Sequence, residues 1–151
     1  MKRLLLPIAL LLLTFHATAH AENGLVSVKS SHDVPATADR LVGALEEKGL
    51  TIFARIDHAA GAEKVGMSLA PTKLIIFGNP KSGTPLMHCN RTVAIDLPLK
   101  ALIWQDDEGE VWLTYNDPGY LDRRHELTGC DKVLGNISKA LAGFAEAATG
   151  K

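Results

Sequence analysis

A short acidic turn, Asp106-Asp107-Glu108-Gly109, separates two strand-like runs, Leu97–Trp104 and Glu110–Tyr115. So short a link joins neighbouring strands in the antiparallel sense, because a parallel return needs a crossover of a dozen or more residues. The fold must therefore contain a hairpin, and the other runs are placed around it. Gly24–Ser30 reads as a first strand, Thr51–Asp57 as a second, and the unbroken apolar run Thr72–Phe77 as a central one. Between the first two, Val34, Ala38, Leu41, Val42 and Leu45 recur at helical spacing. Capping oxygens at Ser31-His32-Asp33 precede that stripe and Gly49 closes it. Val133, Leu134, Ile137, Ala140, Leu141 and Phe144 mark a long final helix. His58–Met67 reads as a loop with room for one helical turn, Thr84-Pro85 as the start of a short helix, and Tyr120–Leu127 as another. The order β-α-β-β-β-β-α predicts an α+β two-layer sandwich, a mostly antiparallel sheet with helices on one face.

The first residues carry a different message. Lys2 and Arg3, the apolar run Leu4–Phe15 and the small-x-small site Ala19-His20-Ala21 have the layout of a secretory signal peptide. Residues 1–21 are expected to be cleaved, leaving residues 22–151 as a single domain in the periplasm or outside the cell. That removes 21 of 151 residues and leaves 130, enough to bury roughly two-thirds of the unfolded surface without staples. Without Lys2 and Arg3 the 16 basic residues fall to 14 against 17 acidic, a formal charge of −3. No basic stripe appears, which disfavours nucleic acid as a partner. No later run approaches the length of a bilayer span, so none is expected after cleavage. In an oxidising compartment Cys89 and Cys130 favour a disulfide, closing a loop of about 40 residues. Two separate buried thiols are the alternative.

Three stretches carry candidate chemistry. In Phe77–Asn90 the glycines Gly78 and Gly83 followed by Thr84 imitate a phosphate loop. The lysine after the second glycine is missing, Lys81 comes too early, and Pro85 removes a backbone donor, so a nucleotide site is rejected. Met87-His88-Cys89 offers donors for a soft metal or haem. Adjacent helical residues point about 100° apart, so ligands from elsewhere would be required, with Met67, His58 and His125 as candidates. The plainer reading is a surface His88 beside a core Met87. Asp57-His58 ends a strand, where an imidazole beside a carboxylate could serve as base or oriented ligand, or could simply pin a loop. Arg123-Arg124-His125 could receive an anion but reads more plainly as a solvated face. Asn136-Ile137-Ser138 fits a glycosylation acceptor yet falls within the final helix. No constellation in the sequence names a nucleophile, so catalytic residues are unknown.

The runs I-D-H-x-x-G-A, F-G-N-P, G-T-x-L-M, D-L-P-L-K and Y-N-D-P together make the chain from Gly24 to Phe144 resemble the domain of unknown function family 302. The resemblance implies a small domain of the TATA-box-binding-protein-like fold class, without its DNA function, and a homodimer. It transfers no activity. Its recurring residues suggest a shared pocket with Asp57, His58, Asn79, Thr84 and Met87 as binding residues. His58, Met87 and His88 are the candidate metal ligands. His58 is expected to face Phe77–Met87 across a cleft, completed in part by a dimer partner. The expected function is an exported, non-enzymatic module holding a small ligand, haem or a soft metal. The alternatives are an enzyme using His58 as base or ligand, and a dimeric interaction or stress protein without a ligand.

Overall fold

A computed structural model describes residues 23–150. The expected signal peptide, residues 1–21, lies outside them. Five strands form one sheet: β1 (Leu25–Lys29), β2 (Thr51–Asp57), β3 (Thr72–Gly78), β4 (Leu99–Gln105) and β5 (Val111–Asn116). Their spatial order is β1-β5-β4-β3-β2, and every neighbouring pair is antiparallel. The helices are α1 (Val34–Glu47), α2 (His58–Glu63), α3 (Pro80–Cys89), α4 (Pro118–His125) and α5 (Asp131–Thr149), with a 3-10 turn at Arg91–Ile95. The α+β architecture is the one the element order predicts, with short helices added to its connections.

Alternation explains the layers. Ile75, Phe77, Ala101, Ile103 and Leu113 are buried, while Leu74, Leu102, Trp104 and Trp112 between them are half-buried. The buried set meets Ala38, Leu41 and Leu45 of α1 and Ile137, Leu141 and Ala145 of α5 in one core. Each fully buried Leu or Phe there contributes roughly 1.5–3 kcal/mol of transfer free energy. On the other face Leu74 lies directly between Ile56 and Leu102, and Trp104 opposite Trp112. Both indoles are satisfied, Trp104 donating to Thr114 Oγ1 at 3.0 Å and Trp112 to Asp106 Oδ2 at 2.7 Å.

Strand ends shift by one or two residues, and two helix starts differ from expectation. Helix α3 starts at Pro80 rather than at Thr84-Pro85, because the Asn79 side chain accepts from the Lys81 amide and Pro80 fills the first turn. Helix α4 starts at Pro118 rather than Tyr120 for the same reason, with Asp117 as its cap. In both cases residues that read as a turn are a cap followed by the first-turn proline.

Candidate functional site

The register of the sheet decides which sequence runs can meet. Phe77 pairs with Leu99, Ala101 with Tyr115, and Gly78 with Thr51. The end of β3, the start of β4 and the end of β5 therefore share one end of the sheet. F-G-N-P, G-T-x-L-M, D-L-P-L-K and Y-N-D-P all lie there. I-D-H does not, since Asp57 pairs with Lys73 at the start of β3.

A pocket of about 290 Å³ opens at that shared end. Gly78, Asn79, Pro80, Gly83, Thr84, Leu86 and Met87 line it from β3 and α3, and Leu97, Pro98 and Leu99 from the approach to β4. Phe53, Ser82, Ala94 and Ile137 complete the wall. At two glycines of the wall a methyl group would fit at ordinary contact distance. A methyl group on Gly78 would stand 3.5 Å from Pro98 and 3.6 Å from the Phe53 ring, and one on Gly83 3.6 Å from Leu97. Leu97-Pro98 is a cis peptide. Lys100 braces that bend, its ammonium donating to the carbonyls of Asp96 at 3.1 Å and Pro98 at 2.9 Å. D-L-P-L-K thus combines three wall residues with the amine that fixes their backbone.

Asp96 faces away from the pocket and holds a histidine. Its Oδ2 lies 2.6 Å from His125 Nε2, with the two side chains 14% and 5% exposed. His125 Nδ1 lies 3.0 Å from Thr92 Oγ1, and Asn90 Nδ2 donates to the His125 carbonyl at 2.7 Å. Carboxylate, imidazole and hydroxyl stand in the order of a hydrolase relay. However, Thr92 Oγ1 also donates to Asn90 Oδ1 at 2.9 Å, and Asn90 caps the 3-10 turn. The row therefore pins α4 to the turn that supplies Ala94 of the pocket wall. Y-N-D-P acts beside it: Tyr115 is buried, and Asp117 caps α4 by accepting from the Gly119 amide at 3.1 Å. Burial, then the Asp117 charge, pushes the Tyr115 phenol above its ordinary range.

Of the expected binding residues, Asn79, Thr84 and Met87 meet in the pocket, and Asp57 and His58 stand elsewhere. Six strand steps separate Asp57 from Thr51 at the pocket end, roughly 20 Å. Asp57 caps α2, accepting from the Ala60 amide at 3.0 Å, and pairs with Lys73 Nζ at 2.5 Å. The amide first and the lysine second hold its carboxyl below the usual carboxylate range. His58 is exposed in the first turn of α2. The expectation that it faces Phe77–Met87 within one chain is therefore corrected. The reason is topological: neighbouring antiparallel strands finish at opposite ends, so the ends of β2 and β3 diverge. The metal set His58, Met87 and His88 is corrected for the same reason. His88 is exposed, whereas Met87 turns into the pocket wall. Among the described residues no group of three or more His, Cys, Asp or Glu side chains is placed to hold a metal ion.

Cys89 and Cys130 are bridged, with Cα atoms 6.4 Å apart, joining the end of α3 to the start of α5. The glycines that imitate a phosphate loop are separated by a helix start, not a loop. Phe53, Ser82, Ala94 and Ile137 are wall residues outside the runs that suggested a shared pocket.

A family model described as Domain of unknown function DUF302 matches residues 26–144. The crystal structure of the uncharacterized conserved protein DUF302 from Bacillus stearothermophilus superposes with a TM-score of 0.75 at 19% identity, covering 83% of this chain and 98% of that one. That likeness concerns the fold. Fluoride-specific ion channel FluC 1 of Brucella suis biovar 1 is 50% identical over 106 residues, which are 70% of this chain and 42% of that protein. Fluoride-specific ion channel FluC 2 of Brucella melitensis biotype 1 is likewise 50% identical over 106 residues, 39% of its length. The chain thus spans about two fifths of the curated relatives it matches. Among the described residues no helix is long and apolar enough to cross a membrane.

Proposed function

The chain belongs to the DUF302 family, and on that premise we propose that it is an exported, dimeric, non-enzymatic module that binds a small, largely apolar molecule at the end of its sheet. One observation carries this reading. F-G-N-P, G-T-x-L-M and D-L-P-L-K, three separate runs, line a single apolar pocket of about 290 Å³. Purely architectural motifs would be expected to fill the space they share. The volume is at the lower edge of ordinary small-ligand sites.

A soft metal or haem is less well served. The disulfide consumes the Cys89 thiolate, and Met87 is the one soft donor of its cluster that lines the pocket. An enzyme built on His58 would have to work from an exposed imidazole at the opposite end. From the fluoride-channel relatives we take only that this domain also occurs within longer proteins.

The test uses Nile red, an uncharged apolar dye, with the exported protein. The expected result is a saturable fluorescence rise at one dye per chain. Gly83→Leu should abolish it with the helix intact, since leucine favours a helix interior over glycine by roughly 0.8 kcal/mol and its branch would enter the pocket. Equal dye binding by a folded Gly83→Leu variant, or no saturable binding by the wild type, overturns the proposal. A stoichiometric Soret or copper charge-transfer band in the visible spectrum would instead select the haem or metal reading.

A further inference from the structure

A second, larger space adjoins the apolar pocket. This cleft of about 730 Å³ lies between the end of α1, the start of α3 and the outer turns of α5. Gly78, Asn79, Ser82, Leu99 and Ile137 line both spaces. The two spaces are therefore adjacent, and one elongated molecule is long enough to reach both. The floor of the cleft continues the apolar surface with Leu50, Phe77, Val133 and Phe144.

The charges on this lining are one-sided. They are Lys48, Lys81 and Lys139, against Glu47 alone. The whole chain has nearly balanced charge, 16 basic and 17 acidic residues, so three to one is a local departure. Lys48 stands 4.0 Å from Glu47, a weak exposed contact. Among the described residues Lys81 and Lys139 take part in no ion pair. The first amides of α3 are already engaged by Asn79, through its side chain to Lys81 and its carbonyl to Ser82 and Gly83. An anion at the cleft would therefore be met by lysine ammonium groups, not by the helix end.

We propose that the ligand is an anionic amphiphile, a single hydrocarbon chain ending in a carboxylate or phosphate. The chain would occupy the inner pocket and pass the residues shared with the cleft, and the head would reach the lysine rim. This rests on the binding-module reading and names the ligand class for the same site. A long alkyl chain recovers free energy in proportion to the apolar area it removes from water, so the tail supplies most of the affinity. The lysines choose the head, and as exposed charges they contribute modestly and in a salt-dependent way.

The experiment compares four probes that share a twelve-carbon tail: dodecanoate, dodecyl phosphate, dodecanol and dodecyltrimethylammonium. Calorimetric titration of the exported protein at low salt should show the two anions binding roughly three- to tenfold tighter than the alcohol, and the cation weakest. That preference should shrink at about 1 M salt, where the screening length is about 3 Å. It should vanish in a variant combining Lys48→Gln, Lys81→Gln and Lys139→Gln, all exposed positions, while dodecanol affinity is kept. Equal binding of acid and alcohol by the wild type overturns the anionic head and leaves the apolar pocket standing. Binding of all four probes that Gly83→Leu does not affect overturns both. Co-sedimentation with phosphatidylglycerol vesicles, without binding of free dodecanoate, would assign the lysines to a membrane surface and also overturn the proposal.

Discussion

His125 is the most enclosed titratable side chain near the pocket, and both its ring nitrogens are engaged, by Asp96 and by Thr92. His125→Ala leaves a mostly buried carboxylate with only the longer contact to Arg124, 3.5 Å away. A loss of about 1–3 kcal/mol is expected in urea unfolding, with Asp96→Asn costing less because the amide can still hydrogen-bond. The motif runs single out Asp96, but its partner lies 29 residues away on another element, and no local pattern announces that contact. Asp57 shows the converse. Its importance is legible and its job is not, since capping and catalysis both place a carboxylate at a strand end. Its native carboxyl is held below the ordinary range. The interaction therefore adds stability above about pH 4 that is lost as pH falls through the lowered native value. The stability gap between wild type and Asp57→Ala should accordingly narrow in acid, and an NMR titration of Asp57 should show the depressed midpoint.

Among the elements, α3 carries the site and the bridge from Cys89 to Cys130 fastens its far end to α5. In the chain-entropy model a loop of 41 residues makes that bridge worth about 4 kcal/mol. The Cys89→Ser, Cys130→Ser double variant should lose a comparable amount in urea, and the last turn of α3 should exchange its amides first. An unchanged midpoint would show that the reduced chain is already constrained. The strands and long helices were legible because period two and period 3.6 are written in their apolar residues. The start of α3 was not, because Gly78-Asn79-Pro80 reads equally as a turn and as a cap. Pocket membership was hidden for a different reason. It follows from β3 and β4 being neighbours with Phe77 opposite Leu99, a register that composition does not state.

For the molecule as a whole, the half-buried sheet face with Leu74, Leu102, Trp104 and Trp112, beside Ile56 at 38% exposure, is the surface we assign to the proposed homodimer. Ile56→Glu should shift sedimentation toward monomer at micromolar concentration and leave Nile red binding unchanged. A wild type that sediments as a monomer throughout would refute the dimer. The pairing of β1 with β5 has a consequence in time. Ser27 and Thr114, 87 residues apart, share a hydrogen bond across the two strands. The earliest strand to be made has no neighbour until the latest strand arrives, and contacts so distant in sequence form slowly. A chain threaded through a membrane from its N-terminus would stay pliable for most of its passage. Its sheet would close only on the far side.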